Sequence, residues 1–221
     1  MDFVLIMKLI PIYKESIFLT LKLSLCAIMI SLFLGIVCSA ISYMKIPIVS
    51  WIIKFYVEIS RNTPLTIQLF FLYFSLPLFG VRLSSFNCAL FGLSFLGGSY
   101  MCEAVKGGFD SIKKTQIESG LSIGLNNWQL ICHIILPQAI VLSMPLIAGV
   151  IVFLIKETSV AGIVALADVM FVTKDVIGMY YCTNEALFML IVSYVVIILP
   201  FVLLFTFLKE KIKYIDNKIL F

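Results

Sequence analysis

An all-α integral membrane protein is the fold class predicted by three observations: 62% of the 221 residues are apolar, only 13% are charged, and mean hydropathy is +1.14. Soluble domains carry about 25% charged residues. The apolar residues also gather into runs, and about 20 of them at about 1.5 Å rise cross a hydrocarbon core of about 30 Å. Five such runs lie at roughly 17–43, 65–79, 86–101, 139–155 and 187–207, and a single membrane domain over 1–221 is expected.

The first run follows a segment, 1–10, that is apolar but has no small-residue cleavage site after it. The first helix is therefore expected to serve as its own targeting signal. The second and third runs are short, and residues 51–60 are expected to lengthen the second helix at one end. Pro145 and Pro200 fall inside the fourth and fifth spans, where kinks are tolerated if neighbouring helices satisfy the freed carbonyls. Asp168 is expected to cap or anchor a short segment before the last span. Past that span, LKEKIKYIDNKI at 208–219 is a basic tail that accounts for the net charge of +4. Its lysines suit anionic lipid at roughly 1 kcal/mol each.

The basic residues also set an orientation. With the N-terminus outside, the inner segments hold Lys45, Lys54, Arg61, Lys106, Lys113, Lys114, Lys209, Lys211, Lys213 and Lys218. The outer ones hold Lys8, Lys14, Lys22, Arg82, Lys156 and Lys174. The excess of basic residues inside predicts an outer N-terminus and a cytoplasmic C-terminus.

Signals for catalysis are sparse. Cys26, Cys38, Cys88, Cys102, Cys132 and Cys182 form no CxxC, and thiols in apolar runs behave as small hydrophobes, so neither a metal nor a disulfide framework is expected. The single histidine, His133, rules out a multi-His site, and no nucleophile stands with a base and an orienting acid. No cofactor and no nucleic-acid partner are expected. A secondary transporter is disfavoured because five spans do not divide into inverted halves.

The longest polar run, GFDSIKKTQIESGLSIGLNNWQLICHIILPQ at 108–138, lies between the third and fourth spans. Its opening comes close to the phosphate loop G-x-x-x-x-G-K-[ST], but the second glycine is Lys113 and a membrane span precedes it instead of a strand. Capping signals describe it better. Thr115 with Glu118 fits a capping box, so a short helix is expected from Gln116 to about Ile123, closed by Gly124 in the left-handed conformation. A second box, Asn126 with Gln129, starts another helix that is expected to stop before Pro137. On the first helix Ile117, Gly120, Leu121 and Gly124 share a face expected to pack.

Five charged residues near the spans have competing readings. Glu58 and Arg61, three apart on one helix face, form a structural ion pair or take part in gating. Glu103 lines a pathway or pairs locally with Lys106. Lys156 and Glu157 interrupt an apolar stretch, and ionisable groups at membrane depth face an interior or a water-filled cavity; the bland reading is an outer loop.

The polar run also carries a resemblance. Glu118-Ser119-Gly120, three residues, Gly124, nine residues, then Ile134-Ile135-Leu136-Pro137 resembles the signature E-A-A-x3-G-x9-I-x-L-P of permease subunits from bacterial ATP-binding-cassette importers. Ser119 and Gly120 depart from alanine but stay small. YVEISRNTPL at 56–65, SYMCE at 99–103 with Gly107-Gly108, Leu136-Pro137-Gln138-Ala139 and Lys156-Glu157-Thr158-Ser159 are similar to motifs of the polar amino acid uptake type. The likeness covers about 16–213. Asn62, Lys106, Lys113 and Thr115 replace the usual glycine, arginine, proline and glycine.

The resemblance implies a type I importer permease fold in the bacterial cytoplasmic membrane. It implies two permease subunits, this chain with a copy or a relative, two cytoplasmic ATPases that dock on the loop, and an extracytoplasmic binding protein that delivers an amino acid.

Overall fold

The computed structural model describes residues 2–44 and 46–219, with 209–219 as backbone only. Lys45 and the side chains of the basic tail, with Lys209, Lys211, Lys213 and Lys218, lie outside the described residues. The described secondary structure is entirely helical: α1 (Phe3–Tyr43), α2 (Pro47–Asn62), α3 (Leu65–Phe70), α4 (Ser85–Asp110), α5 (Lys114–Ser122), α6 (Asn127–Leu130), α7 (Leu136–Glu157), α8 (Val169–Tyr180) and α9 (Thr183–Ile219), with π- and 3-10 turns between some of them.

Among the described residues four helical runs are long and apolar enough to cross a membrane: Phe3–Tyr43, Ser85–Asp110, Asn127–Val164 and Thr183–Leu208. The second predicted run remains a shorter apolar helix, Leu65–Phe79, in which α3 passes into a π-turn and then a 3-10 turn. Residues 51–60 do not extend it directly. They belong to α2, which ends at Asn62 because Pro64 pushes the preceding residue out of the helical region and lacks an N–H to continue the ladder.

α1 begins well ahead of the predicted residue 17, and at 41 residues it is about 60 Å long. Its first turns are held by packing: Ile6, Leu9, Tyr13, Ser16, Thr20, Leu23 and Ala27 are all buried, at alternating steps of three and four. Pro11 points away from this stripe and is exposed. At the start, the Asp2 carboxylate accepts the Val4 and Leu5 N–H groups at 2.9 and 3.3 Å, as an N-cap does.

The chain divides into two compact units, one made of 1–29, 63–94 and 152–203, the other of 30–62, 95–151 and 204–221. In the first, Tyr13 donates to Thr173 Oγ1 at 3.1 Å and lies 3.3 Å from the Ala186 carbonyl, while Thr20 Oγ1 accepts the Val169 N–H at 3.2 Å. These bonds tie the early turns of α1 to α8 and α9. In the second, α1 and α2 are pinned to α4 by hydroxyls that donate to carbonyls. Ser39 reaches Cys102 O at 2.7 Å, and Tyr56 and Ser60 both reach Phe95 O, at 2.8 and 3.0 Å. Ser143 of α7 lies 3.3 Å from Val105 O. Small hydroxyl residues let helices approach closely and then bond across the gap.

Candidate functional site

The polar run folds into α5 and α6 with a tight turn between them. Gly124 has φ +85°, and the N–H groups of Gly124 and Leu125 reach Leu121 O at 3.0 Å and Gly120 O at 3.2 Å. That pair of bonds is the Schellman closure of a helix whose cap residue is Ile123. Gly120 is buried against Leu130 and Ile134, which a side chain there would run into. So α5 rests on α6 and the π-turn that follows.

The start of α5 differs from the capping box expected at Thr115. The helix begins at Lys114, with Lys113 in an extended conformation at the cap position and no side-chain cap. Thr115 is therefore inside the first turn and exposed; water reaches these N–H groups, so no hydroxyl is needed to satisfy them. The expected packing face is also narrower. Ile117 is half-buried and Gly120 buried, whereas Leu121 and Gly124 are exposed. Glu118 and Ser119 are exposed as well.

At Asn126 the reciprocal box forms: its Oδ1 accepts the Gln129 N–H at 2.9 Å, and Gln129 Oε1 accepts the Asn126 N–H at 3.0 Å. The helix it starts does not stop before Pro137. α6 passes through a π-turn, Ile131–Ile135, into α7 without a break. The wider turn accommodates the proline, and side chains cover exposed carbonyls: Gln138 Nε2 donates to Ile134 O at 3.0 Å, and His133 Nδ1 lies 2.9 Å from Gln129 O. Ile134 and Leu136 are half-buried and Pro137 is exposed.

Glu58 and Arg61 do not pair. Glu58 lies 3.9 Å from Lys54 one turn back, while Arg61 Nη1 is 3.6 Å from Glu103 Oε2 on α4, with its guanidinium 5.0 Å from the Tyr100 ring centre. The second helix offers Arg61 a carboxylate and an aromatic face at once, which the neighbour three residues away cannot. Glu103 accordingly has Arg61 as its ion-pair partner, not Lys106.

Glu157 ends α7, half-buried, with exposed Lys156 beside it and the 3-10 turn Thr158–Val164 following. Asp168 caps α8: Oδ1 accepts the Phe171 N–H at 3.0 Å and Oδ2 the Met170 N–H at 3.2 Å. Burial pushes the Asp168 carboxyl up to about 6, against the pull of those N–H groups and of Lys174.

Three large apolar side chains on the loop are exposed: Leu121, from the face expected to pack, and Ile123 and Trp128, given no docking role from sequence. Leu121 is 48% exposed, Ile123 76% and Trp128 60%. Their signal was available, since large apolar residues in the most polar stretch of a chain are out of place in water.

Among the described residues, four apolar helical runs long enough to cross a membrane, together with a short-helix pair that exposes such side chains, fit a membrane transport subunit. The chain belongs to the family of binding-protein-dependent transport system inner membrane components, which it matches over residues 16–214. It is 31% identical to the probable amino-acid ABC transporter permease protein PatM of Vibrio harveyi, over 76% of this chain and 77% of that one. It is 33% identical to the arginine transport system permease protein ArtQ of Bacillus subtilis (strain 168), covering 77% and 78%. In fold it is similar to a crystal structure of an amino acid ABC transporter with histidines: TM-score 0.87, 24% identity, 96% of this chain and 99% of that one.

Proposed function

We propose that this chain is the permease through which an amino acid enters the cell, driven by ATP that a separate subunit hydrolyses. The observation that carries the reading is the closed α5–α6 pair with Leu121, Ile123 and Trp128 exposed on it. A short helix capped at its end moves as one piece, and its apolar side chains suit a groove on a partner. In this reading Glu118, Ser119, Gly120, Gly124, Ile134, Leu136 and Pro137 build the docking handle. The partners are two cytoplasmic ATPases, a second permease that is a copy or a relative of this chain, and an extracytoplasmic binding protein.

The loop then lies in the cytoplasm with the C-terminus, the N-terminus lies outside, and residues 1–221 act as one permease domain. Glu157, with Lys156 near it, is the candidate contact for an α-amino or cationic group in the pathway, and Glu103 a second candidate. A carboxylate at the end of an apolar helix, half-buried, attracts cations more strongly than one in water.

The test is uptake by the purified complex of permease, ATPase and binding protein in proteoliposomes, over a panel of amino acids and other small polar solutes. ATP-dependent accumulation of one or a few amino acids is expected. Uptake without the ATPase, or of non-amino-acid solutes alone, overturns the reading.

A further inference from the structure

A cavity of about 600 Å³ opens beside α2 within the second compact unit, between Ser42 near the end of α1 and Lys106 in the last turns of α4. Three cationic side chains, Lys54, Arg61 and Lys106, and two acidic ones, Glu58 and Glu103, line it, an excess of one positive charge. The two ion pairs there span 3.9 and 3.6 Å, longer than closed charge-assisted hydrogen bonds of about 2.7–2.9 Å, so the cations retain donor directions for a ligand. Lys106 has no carboxylate partner among the described residues. Ser50 lines the same cavity with its Oγ buried and without a hydrogen-bond partner among them. A buried hydroxyl left unpaired is costly unless something arrives to bond it.

We propose that this cavity holds the phosphate of an anionic phospholipid headgroup, with Lys106 and Arg61 as cationic contacts and the Ser50 hydroxyl as a donor. Three features select a lipid. The excess charge is positive. The cavity lies at the ends of α1 and α4, where a headgroup layer meets a span. Around α2 from the cavity, Trp51, Ile52 and Phe55 are more than half exposed, an apolar surface along which acyl chains can lie. The proposal rests on the orientation given above only in assigning the site to the inner leaflet.

The test uses the purified permease complex in neutral detergent, titrated with short-chain phosphatidylglycerol and read by native mass spectrometry. Saturable retention is expected, with phosphatidylcholine retained more weakly. Lys106→Gln should weaken retention about fivefold, the worth of one lysine near an anionic surface, and Lys106→Arg should restore it. Ser50→Ala should weaken it as well. Equal retention by Lys106→Gln and the parent, or equal retention of phosphatidylcholine, overturns the proposal. Displacement by inorganic phosphate reassigns the site to free phosphate, and displacement by an amino acid reassigns it to the transport pathway; either result overturns the lipid. Because retention is read without uptake, a failed transport assay leaves this result intact.

Discussion

Arg61 on α2 and Glu103 on α4 form an ion pair between helices at 3.6 Å, and Tyr100, one turn before Glu103, offers its ring face to the same guanidinium at 5.0 Å. Both charged side chains are about 40% exposed, so the Coulomb gain is screened. A double-mutant cycle with Arg61→Gln and Glu103→Gln should give a coupling of about 0.5–1 kcal/mol in thermal unfolding. Arg61→Lys should recover less than half of it, because an ammonium loses the planar stacking on Tyr100. Zero coupling in the cycle would remove the pair from any account of how α2 is held.

Gly124 tests the handle. A side chain there meets nothing within 4 Å, so the cost of substitution comes from the backbone alone. At φ +85° that cost is about 1–2 kcal/mol for an L residue. Gly124→Ala should keep the turn at reduced stability. Gly124→Val, with a branched side chain in the same conformation, should open it, leaving a permease that inserts but no longer couples ATP hydrolysis to uptake. Normal uptake by the valine variant refutes the coupling role.

Glu157→Gln keeps the shape and removes the charge. If Glu157 meets a cationic group of the substrate, uptake should fall on the order of tenfold, the worth of one hydrogen bond to a charged group. The fall should appear in the concentration dependence of uptake while basal ATP hydrolysis stays level. Parent-like transport by this variant returns Glu157 to an ordinary place at a helix end.

Asp168 gives a pH signature. Its folded-state value, about 6, lies above the usual 3.8, so the fold prefers the protonated carboxyl. The stabilisation is fully present below pH 3.8, fades as pH rises towards 6, and is absent above it. The protein should thus gain stability on going from pH 7 to pH 4.5, by on the order of 2 kcal/mol. Asp168→Asn, which still offers an oxygen to the α8 N–H groups, should flatten that part of the profile. An unchanged slope in the asparagine variant means that another group titrates.

What could be read in advance was whatever a few neighbouring residues decide. The glycine closure after α5 and the Asn126–Gln129 box depend on dihedrals and hydrogen bonds within six residues, and both formed. Thr115 failed as a cap because an exposed first turn has water as an alternative partner, which spacing cannot reveal. The partner of Arg61 depends on which helix packs beside α2, a contact across more than forty residues of chain. The start of α1 was missed for a different reason. Lys8, Lys14 and Glu15 lower the hydropathy of its first turns, while the buried stripe through Ile6, Leu9 and Tyr13 depends on period rather than on average.

That stripe has a consequence for altering the N-terminal segment. Each residue advances the helix by about 100°. Removing a single residue between Leu9 and Tyr13 would swing Ile6 and Leu9 a quarter turn off their seat, even though composition barely changes. Removing seven from the segment would keep the angle of what precedes the cut, since seven residues complete nearly two turns, while drawing it about 10 Å along the axis. The early part of α1 is thus sensitive to phase, and deletions there should be tolerated or not according to their length.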